Sequence, residues 1–399
     1  MQGGWYIVDF QTLARNIEAD VIEWRRHLHR NPELSGQEYD TADYVAGILE
    51  KTGADDVRRV GDTGVTGLIR GRGPGRTIAL RADMDALPGD ERTGLPFSSE
   101  RPGAAHMCGH DVHTAILLGV AKVLHDARGE FDGAVRLVFQ PAEERLGGAG
   151  SMIAGGVLEN PKADAIAALH VWPHLPAGTV GIRDGALTAA ADGVTVEFEG
   201  KQGHAAHPHQ CVDPIVTAGQ FLANVQAVVA REIAPLDAAV LTFGKIAGGH
   251  AGNIIPEKVV IEGTIRTLSP ETRDTMAAAV ERFAKSTADG MRAGVSVTVR
   301  RGVPPLIPDS RLVALFAESA RDLLGADRVA VLPTPSMGGE DFAFYLEHVP
   351  GVFFRLGVQR PGAPFHPLHS PEFDPDESAF ATGVAAMSRF AADFLAQRA

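Results

Sequence analysis

Ala134-Val-Arg-Leu-Val-Phe139, running straight into Gln140-Pro141-Ala142-Glu143-Glu144, decides the fold. A short apolar run closed by a proline reads as a buried strand, and here it delivers two adjacent carboxylates at its far end. Upstream, Thr77-Ile-Ala-Leu-Arg81 leads into Ala82-Asp83-Met-Asp85-Ala-Leu-Pro88, and downstream Ala165-Ile-Ala-Ala-Leu169 leads into His170. Between them, Thr114-Ala-Ile-Leu-Leu-Gly-Val-Ala-Lys-Val-Leu124 suits a buried helix. Strands alternating with helices predict an α/β domain with a mixed, largely parallel sheet flanked by helices. Each strand ends in groups able to do chemistry, and open α/β sheets bind ligands at the carboxyl ends of their strands.

Outward from this centre, residues 9–28 carry one apolar stripe (Leu13, Ile17, Val21, Trp24, Leu28) and read as a single helix ending before Asn31-Pro32. His27 and His29 at its basic end could serve as ligands, but read rather as capping or surface residues. A second helix is expected over 37–51, closed by Gly53. Thr66-Gly-Leu-Ile-Arg70 and Thr77-Ile-Ala-Leu-Arg81 read as strands joined by a hairpin across Gly71-Arg-Gly-Pro-Gly-Arg76. From about Ala189 the pattern changes. Strands at 193–199, 239–244, 258–266 and 295–300, with helices at 212–230 and 276–291, make a small α+β domain of their own. The expected division is therefore 1–188 and 304–399 for one domain, with 189–303 inserted. Pro304-Pro305 and Pro308 mark the return.

The chain has 399 residues, 45% hydrophobic and 22% charged, which is ordinary for a two-domain globular protein. A net charge of −13 gives no support to nucleic-acid binding. No run of 18 apolar residues is present, so no membrane span is expected, and the N-terminus does not read as a secretory signal. Two cysteines, Cys108 and Cys211, make no disulfide framework and fit a reducing cytoplasm.

The densest chemistry is His106-Met107-Cys108-Gly109-His110-Asp111-Val112-His113. Thiolate and imidazole are ligands for borderline divalent metals, and a following helix N-terminus favours a thiolate. The competing reading is a buried cysteine among polar neighbours. Asp83 and Asp85, at i and i+2 on extended chain, point to one side unless they only form the turn before Pro88. Glu143 and Glu144 are adjacent, so they face different ways. One can bind a metal while the other moves protons; a solvated pair is the alternative. His170 and His369 add two imidazoles. With Cys108, His110 and Glu144 they make five ligands, too many for one tetrahedral site but suited to two metals that share Cys108 or a water.

Taken in order, Arg25-Arg-His-Leu-His-Arg-Asn-Pro-Glu-Leu-Ser35, Arg81-Ala-Asp-Met-Asp-Ala-Leu-Pro88, Cys108-Gly-His-Asp111, Gln140-Pro-Ala-Glu-Glu144, Leu169-His170, Gly203-His-Ala-Ala-His-Pro-His209, Asn253-Ile-Ile-Pro256, Gly338-Gly-Glu-Asp-Phe342 and Leu368-His-Ser-Pro371 span essentially the whole chain. This series resembles the aminoacylase/carboxypeptidase family of two-metal amidohydrolases. The nearest branch holds the hippurate hydrolases, N-acyl-amino-acid amidohydrolases and auxin-conjugate hydrolases. The resemblance implies a two-metal exopeptidase-like catalytic domain with an inserted ferredoxin-like lid and dimerisation domain. It implies that Cys108, His110, Glu144, His170 and His369 bind the metals, that Glu143 is the general base and acid, and that Asp83 orients a ligand from behind. His204 resembles an oxyanion donor that reaches across a dimer, with His207 and His209 as rivals. Asn253 and Arg266 match residues used on the substrate carboxylate, although Arg266 also reads as an ordinary strand-edge charge. Met107 stands where relatives often carry alanine, and Arg81 stands where other branches place a first-ligand histidine.

The expected activity is cleavage of N-acyl amino acids, such as N-acetyl or N-benzoyl derivatives, to a carboxylic acid and a free amino acid. The expected cofactors are two divalent ions (Mn²⁺, Zn²⁺, Co²⁺ or Ni²⁺), and the expected state is a homodimer or higher homo-oligomer. A metallo-dipeptidase or deacetylase on the same scaffold is the second reading. A catalytically silent binding relative is disfavoured by the intact ligand positions, and a serine hydrolase by the absence of G-x-S-x-G.

Overall fold

The computed structural model describes residues 8–397. It divides into two compact units. One contains the described residues up to Gly185, with Pro308–Pro333 and the chain from Phe344 onward; the other contains Ala186–Ile307 and Thr334–Ala343.

The first unit is built on an eight-stranded sheet. Its strands are β1 (Asp55–Val60), β2 (Gly64–Arg70), β3 (Thr77–Asp83), β4 (Ala134–Gln140), β5 (Ala165–Pro176), β6 (Val180–Ile182), β7 (Val329–Val331) and β8 (Gly351–Gln359). They lie in the order β1-β2-β4-β3-β5-β8-β6-β7. The central four, β4, β3, β5 and β8, are mutually parallel, and β1, β2 and β6 add antiparallel pairings. The sheet is thus mixed and largely parallel. Every residue of β3 and β4 is buried, Arg81 and Arg136 included, which is why neither strand alternates between apolar and exposed polar residues. The helix His110–Asp126 supplies Val112, Ile116, Val120 and Leu124 to the core, where Val384 and Phe390 of the helix Phe380–Ala396 meet them.

Two expectations need correction here. β2 and β3 are not a hairpin, because β4 lies between them, antiparallel to β2 and parallel to β3. The 71–76 segment instead bonds to the start of β4: Gly71 N–H donates to Gly133 O at 2.9 Å, and Ala134 N–H to Arg76 O at 3.0 Å. Six residues can span either one or two strand spacings of about 4.8 Å, so length alone could not decide. The N-terminal stripe is two helices, Phe10–Asn16 and Glu18–Arg30, broken at Ile17. No proline or glycine marks the break. The stripe continues across it because Phe10, Ala14 and Val21 enter the same core.

In the second unit, the strands Ala239–Gly248, Lys258–Thr267, Ala190–Glu199 and Gly294–Arg300 form an antiparallel sheet in that order. The helices Pro214–Asn224 and Pro270–Met291 bury Phe221, Met276 and Ala284 against Val196, Phe198 and Ile261. Both helices differ in length from the sequence expectation. Asp213 and Ser269, each just before a proline, cap them and set where they start. Among the described residues no helix is long and apolar enough to cross a membrane.

Candidate metal centre

The parallel strands of the first unit place their carboxyl ends side by side, and the following loops are held by buried carboxylates. Past β4, Ala142 adopts a left-handed conformation (φ 53°) and opens the tight turn Glu143–Arg145. Asp85 accepts the backbone N–H of Glu143 on one oxygen and that of Glu144 on the other, each at 3.1 Å, and Ser35 Oγ donates to it at 2.6 Å. Glu38 accepts the N–H groups of Ala142 and Gly36, both at 2.8 Å. Gly148 must be glycine, since a Cβ there would lie 1.7 Å from Pro141 O. The Glu143-Glu144 pair is therefore anchored through its own backbone.

The Cys108-Gly109-His110 turn is fixed as firmly. Gly109 has φ 90°, and a Cβ on it would sit 2.4 Å from Val171 Cγ2. The next residue, Asp111, is buried and receives Arg25 Nε at 2.8 Å and His29 Nδ1 at 2.7 Å. His29 is thus not a capping or surface residue. It is buried beneath the turn, and its other nitrogen lies 3.2 Å from Glu91. Burial pushes the Asp111 carboxyl up, but Arg25 and His29 outweigh that and hold it well below the usual range.

Five side chains converge above these supports. The ligand atoms of Cys108, His110 and His170 lie within 4.8 Å of one another, as do those of Cys108, Glu144 and His369. The two sets share Cys108. Cys108 Sγ is 3.5 Å from His170 Nε2, and His369 Nε2 is 3.3 Å from Glu144 Oε1. His369 itself has φ 66°, a conformation rare for a non-glycine residue, and its N–H bonds Met107 O at 2.8 Å. The buried Glu143 carboxylate lies within 4.8 Å of ligand atoms of His110 and Glu144.

These residues fit divalent metal ions. His110 Nε2 and Glu144 Oε1 face each other at 3.9 Å, both buried and neither hydrogen-bonded. Orphaned buried polar atoms are costly, and a cation between them would satisfy both. His170 donates Nδ1–H to Val171 O at 2.7 Å and so turns a bare Nε2 toward Cys108. Burial keeps His170 well below its ordinary value, hence neutral, as a ligand must be. Burial opposes a charge on His110 as well, but Asp83 and Cys108 outweigh it and raise its value. Burial pushes the Cys108 thiol well above its usual range, against the opposing pull of His110. A cation beside it would favour the thiolate that a metal needs.

Asp83 accepts from Arg81 Nη1 at 2.7 Å and from His113 Nδ1 at 2.6 Å, and lies 3.7 Å from His110 Nε2. Arg81 thus neutralises Asp83 where another branch would carry a ligand. Asp83, His110 and His113 also cluster, but both nitrogens of His113 are already engaged, which leaves it no lone pair for a metal. Asp85, which the sequence pairs with Asp83 but which gained no role there, is the carboxylate on His110 Nδ1, at 3.2 Å. Its i+2 spacing was the available signal. His113 lies in the dense His106–His113 stretch and Ser35 in one of the quoted motifs, but the sequence assigns neither a role, and nothing local marks Glu38.

His204, Asn253 and Arg266 belong to the second unit. Gly203–His204 pairs with Ile254–Ile255, and Ala205 N–H bonds Asn253 O at 3.0 Å, so His204 and Asn253 are neighbours. His204 is exposed. Its Nδ1 accepts the N–H of Ala206 at 3.0 Å, which leaves Nε2 protonated in the neutral ring. Its ring centroid is 5.6 Å from that of His207. Arg266 is half-buried near the other end of the strand Lys258–Thr267, bonded to Thr264 and Ile265 O. The eight steps from Lys258 to Arg266 cover about 27 Å. Within one chain, then, Asn253 and Arg266 do not meet on a single carboxylate.

The model of peptidase family M20/M25/M40 matches residues 79–393. An N-acetyl-L-cysteine deacetylase of Bacillus subtilis is 42% identical over 363 residues, covering 91% of this chain and 85% of that protein. An IAA-amino acid hydrolase of Arabidopsis thaliana is 38% identical over 395 residues, covering 97% of this chain and 88% of its own. Among solved structures, the YXEP protein of Bacillus subtilis, described as a dinuclear metal-binding peptidase of the M20 family, superposes with a TM-score of 0.85. It is 35% identical, with 96% of this chain and 99% of that one covered. The family resemblance read from the motifs is borne out: this chain belongs to peptidase family M20/M25/M40.

Proposed function

We propose that this protein is a two-metal amidohydrolase that cleaves N-acyl amino acids to a carboxylic acid and a free amino acid. The observation that carries the reading is the pair of ligand sets sharing Cys108, with the Glu143 carboxylate beside them. Relatives named for N-acetylcysteine and for IAA-amino acids support the substrate class. Deacetylation is the same reaction with the smallest acyl group.

Cys108, His110, Glu144, His170 and His369 would hold two divalent ions, drawn from Mn²⁺, Co²⁺, Ni²⁺ and Zn²⁺. Bound there, such ions polarise the amide carbonyl and make water acidic enough to attack at neutral pH. Glu143 takes the proton from the attacking water and delivers it to the leaving nitrogen. Asp85 holds the Glu143-Glu144 backbone in place during that transfer. The inserted domain expected over 189–303, which lies within the second unit, acts as a lid and dimerisation domain. His204 donates Nε2–H to the oxyanion, and Arg266 and Asn253 bind the substrate carboxylate. Because Asn253 and Arg266 lie far apart in one chain, the assignment is to a homodimer, with His204 and Asn253 from one protomer and Arg266 from the other. Unpaired cysteines fit a reducing, cytoplasmic setting.

A panel of N-acetyl- and N-benzoyl-amino acids, their carboxyl-amidated forms and free dipeptides tests the reading. The acyl amino acids should be cleaved fastest and the amides far more slowly. Dipeptides outrunning every acyl amino acid would replace it with a dipeptidase.

A further inference from the structure

We propose that His113 is a positioning residue: by fixing the backbone of Val171 it sets which ring nitrogen His170 presents toward Cys108. The proposal rests on the two-metal reading above. His113 sits one helical turn after His110 and is fully buried, yet it has no place among the ligands.

Its two nitrogens have unambiguous partners. A backbone N–H can only donate, so His113 Nε2, 2.9 Å from the N–H of Val171, carries no proton. Its proton therefore lies on Nδ1 and goes to Asp83 at 2.6 Å. Asp83 is held in turn by Arg81. On the other side, Val171 O accepts Nδ1–H of His170 at 2.7 Å. The residue 171 backbone is thus gripped at N–H by one histidine and at C=O by the next. The chain Arg81–Asp83–His113–Val171–His170 ends with His170 Nε2 bare and 3.5 Å from Cys108 Sγ. The His113 and His170 rings also meet edge to face at 4.6 Å, which limits rotation of either. A metal ligand needs one fixed tautomer, and such fixing usually comes from the hydrogen bond on its other nitrogen. Here that bond is to the Val171 carbonyl, and His113 holds the same residue by its N–H.

Two amide substitutions separate this role from mere filling of space. An Asn amide reaches the place of the imidazole Nδ1, and a Gln amide the place of Nε2. His113→Gln keeps an acceptor for Val171 N–H and gives up the bond to Asp83. His113→Asn keeps the bond to Asp83 and gives up Val171. Co²⁺ titration of the metal-free proteins, read by the thiolate-to-cobalt absorption and by chelator competition, should show two ions in the parent. His113→Asn should weaken one ion by about 10- to 100-fold, the usual effect of losing a ligand's supporting bond, while His113→Gln stays near the parent. Equal losses in both variants, or an unchanged His113→Asn, would overturn the proposal. A parent that binds fewer than two ions would contradict the two-metal reading directly, and this proposal with it. Nitrogen-15 NMR of the parent with labelled histidine checks the relay without any variant. It should find both His113 and His170 protonated at Nδ1, and a proton on His113 Nε2 would rule the relay out.

Discussion

Glu144 Oε1 and His110 Nε2 face each other across 3.9 Å in a buried site, and neither has a hydrogen-bond partner. Each belongs with ligand atoms that include Cys108 or lie next to it. Cys108 is common to both sets, so it should matter to both ions. Cys108→Ala is expected to lower the metal content from two ions to one or none, with activity falling in parallel. Elemental analysis of the purified variant checks this, and two tightly held ions would show that Cys108 is not shared.

Glu143 and Glu144 should separate on substitution. Glu143→Gln preserves shape and the backbone bond to Asp85, so both metals should remain while kcat falls by roughly 10²- to 10⁴-fold, the range for a general acid–base group. Glu144→Gln should instead weaken metal binding. Steady-state kinetics with metal analysis decides between them, and the opposite pattern would exchange the two roles.

Asp85→Asn puts an amide NH₂ where Asp85 now accepts from backbone N–H groups or from Ser35. Metal affinity should fall by about 10- to 100-fold with the protein still folded. Chelator competition and circular dichroism measure the two effects. Unchanged affinity would reduce Asp85 to a structural turn residue.

Asp192 supports the second unit. It takes Arg273 Nε at 2.8 Å and Gly302 N–H at 2.9 Å. Burial pushes its carboxyl up, but Arg273, the Gly302 N–H and Arg301 together bring it below its usual value. A lowered folded value gives stability that is complete above the unfolded aspartate value of about 3.9 and is lost as pH falls through the folded one. Asp192→Asn should therefore destabilise the protein by about 2 kcal/mol near neutrality, less than a fully buried pair because Arg273 and Arg301 reach solvent. The difference from the parent should shrink in strong acid. Denaturant titrations at several pH values test both statements.

Trans action of the lid can be tested by mixing. His204→Ala and Glu143→Gln homodimers that exchange subunits should regain activity, because one site in each hybrid is intact. The loss from His204→Ala alone should be 10²- to 10³-fold, about 3–4 kcal/mol, as for an oxyanion donor. Demonstrated exchange without recovery would place His204 in its own protomer's site.

Much of this architecture was legible because it is local and periodic. β3 and β4 are mostly apolar runs that end at Asp83 and Gln140, so these strand ends could be read locally. β5, expected to end before His170, runs on to Pro176, with His170 paired to Arg355 inside the sheet. What escaped depends on distance. The insertion of β4 between β2 and β3 leaves no mark on the 71–76 connection, which could span either spacing. The bend at Ile17 falls inside an unbroken apolar stripe. Glu38 and Asp85 act on backbone N–H groups 104 and 58 residues away, and His113 acts on Val171, 58 residues on. His29 looked like surface because its chain neighbours are charged, whereas Asp111, 82 residues later, buries it.

The central claim is that two bound metals carry N-acyl-amino-acid hydrolysis. The most direct measurement is the rate of N-acetyl- or N-benzoyl-amino-acid cleavage by metal-free protein as Mn²⁺, Co²⁺, Ni²⁺ or Zn²⁺ is returned in counted equivalents. The account predicts no activity without metal and a rise that levels off at two ions per chain. Full hydrolysis by protein shown by elemental analysis to be metal-free would contradict it.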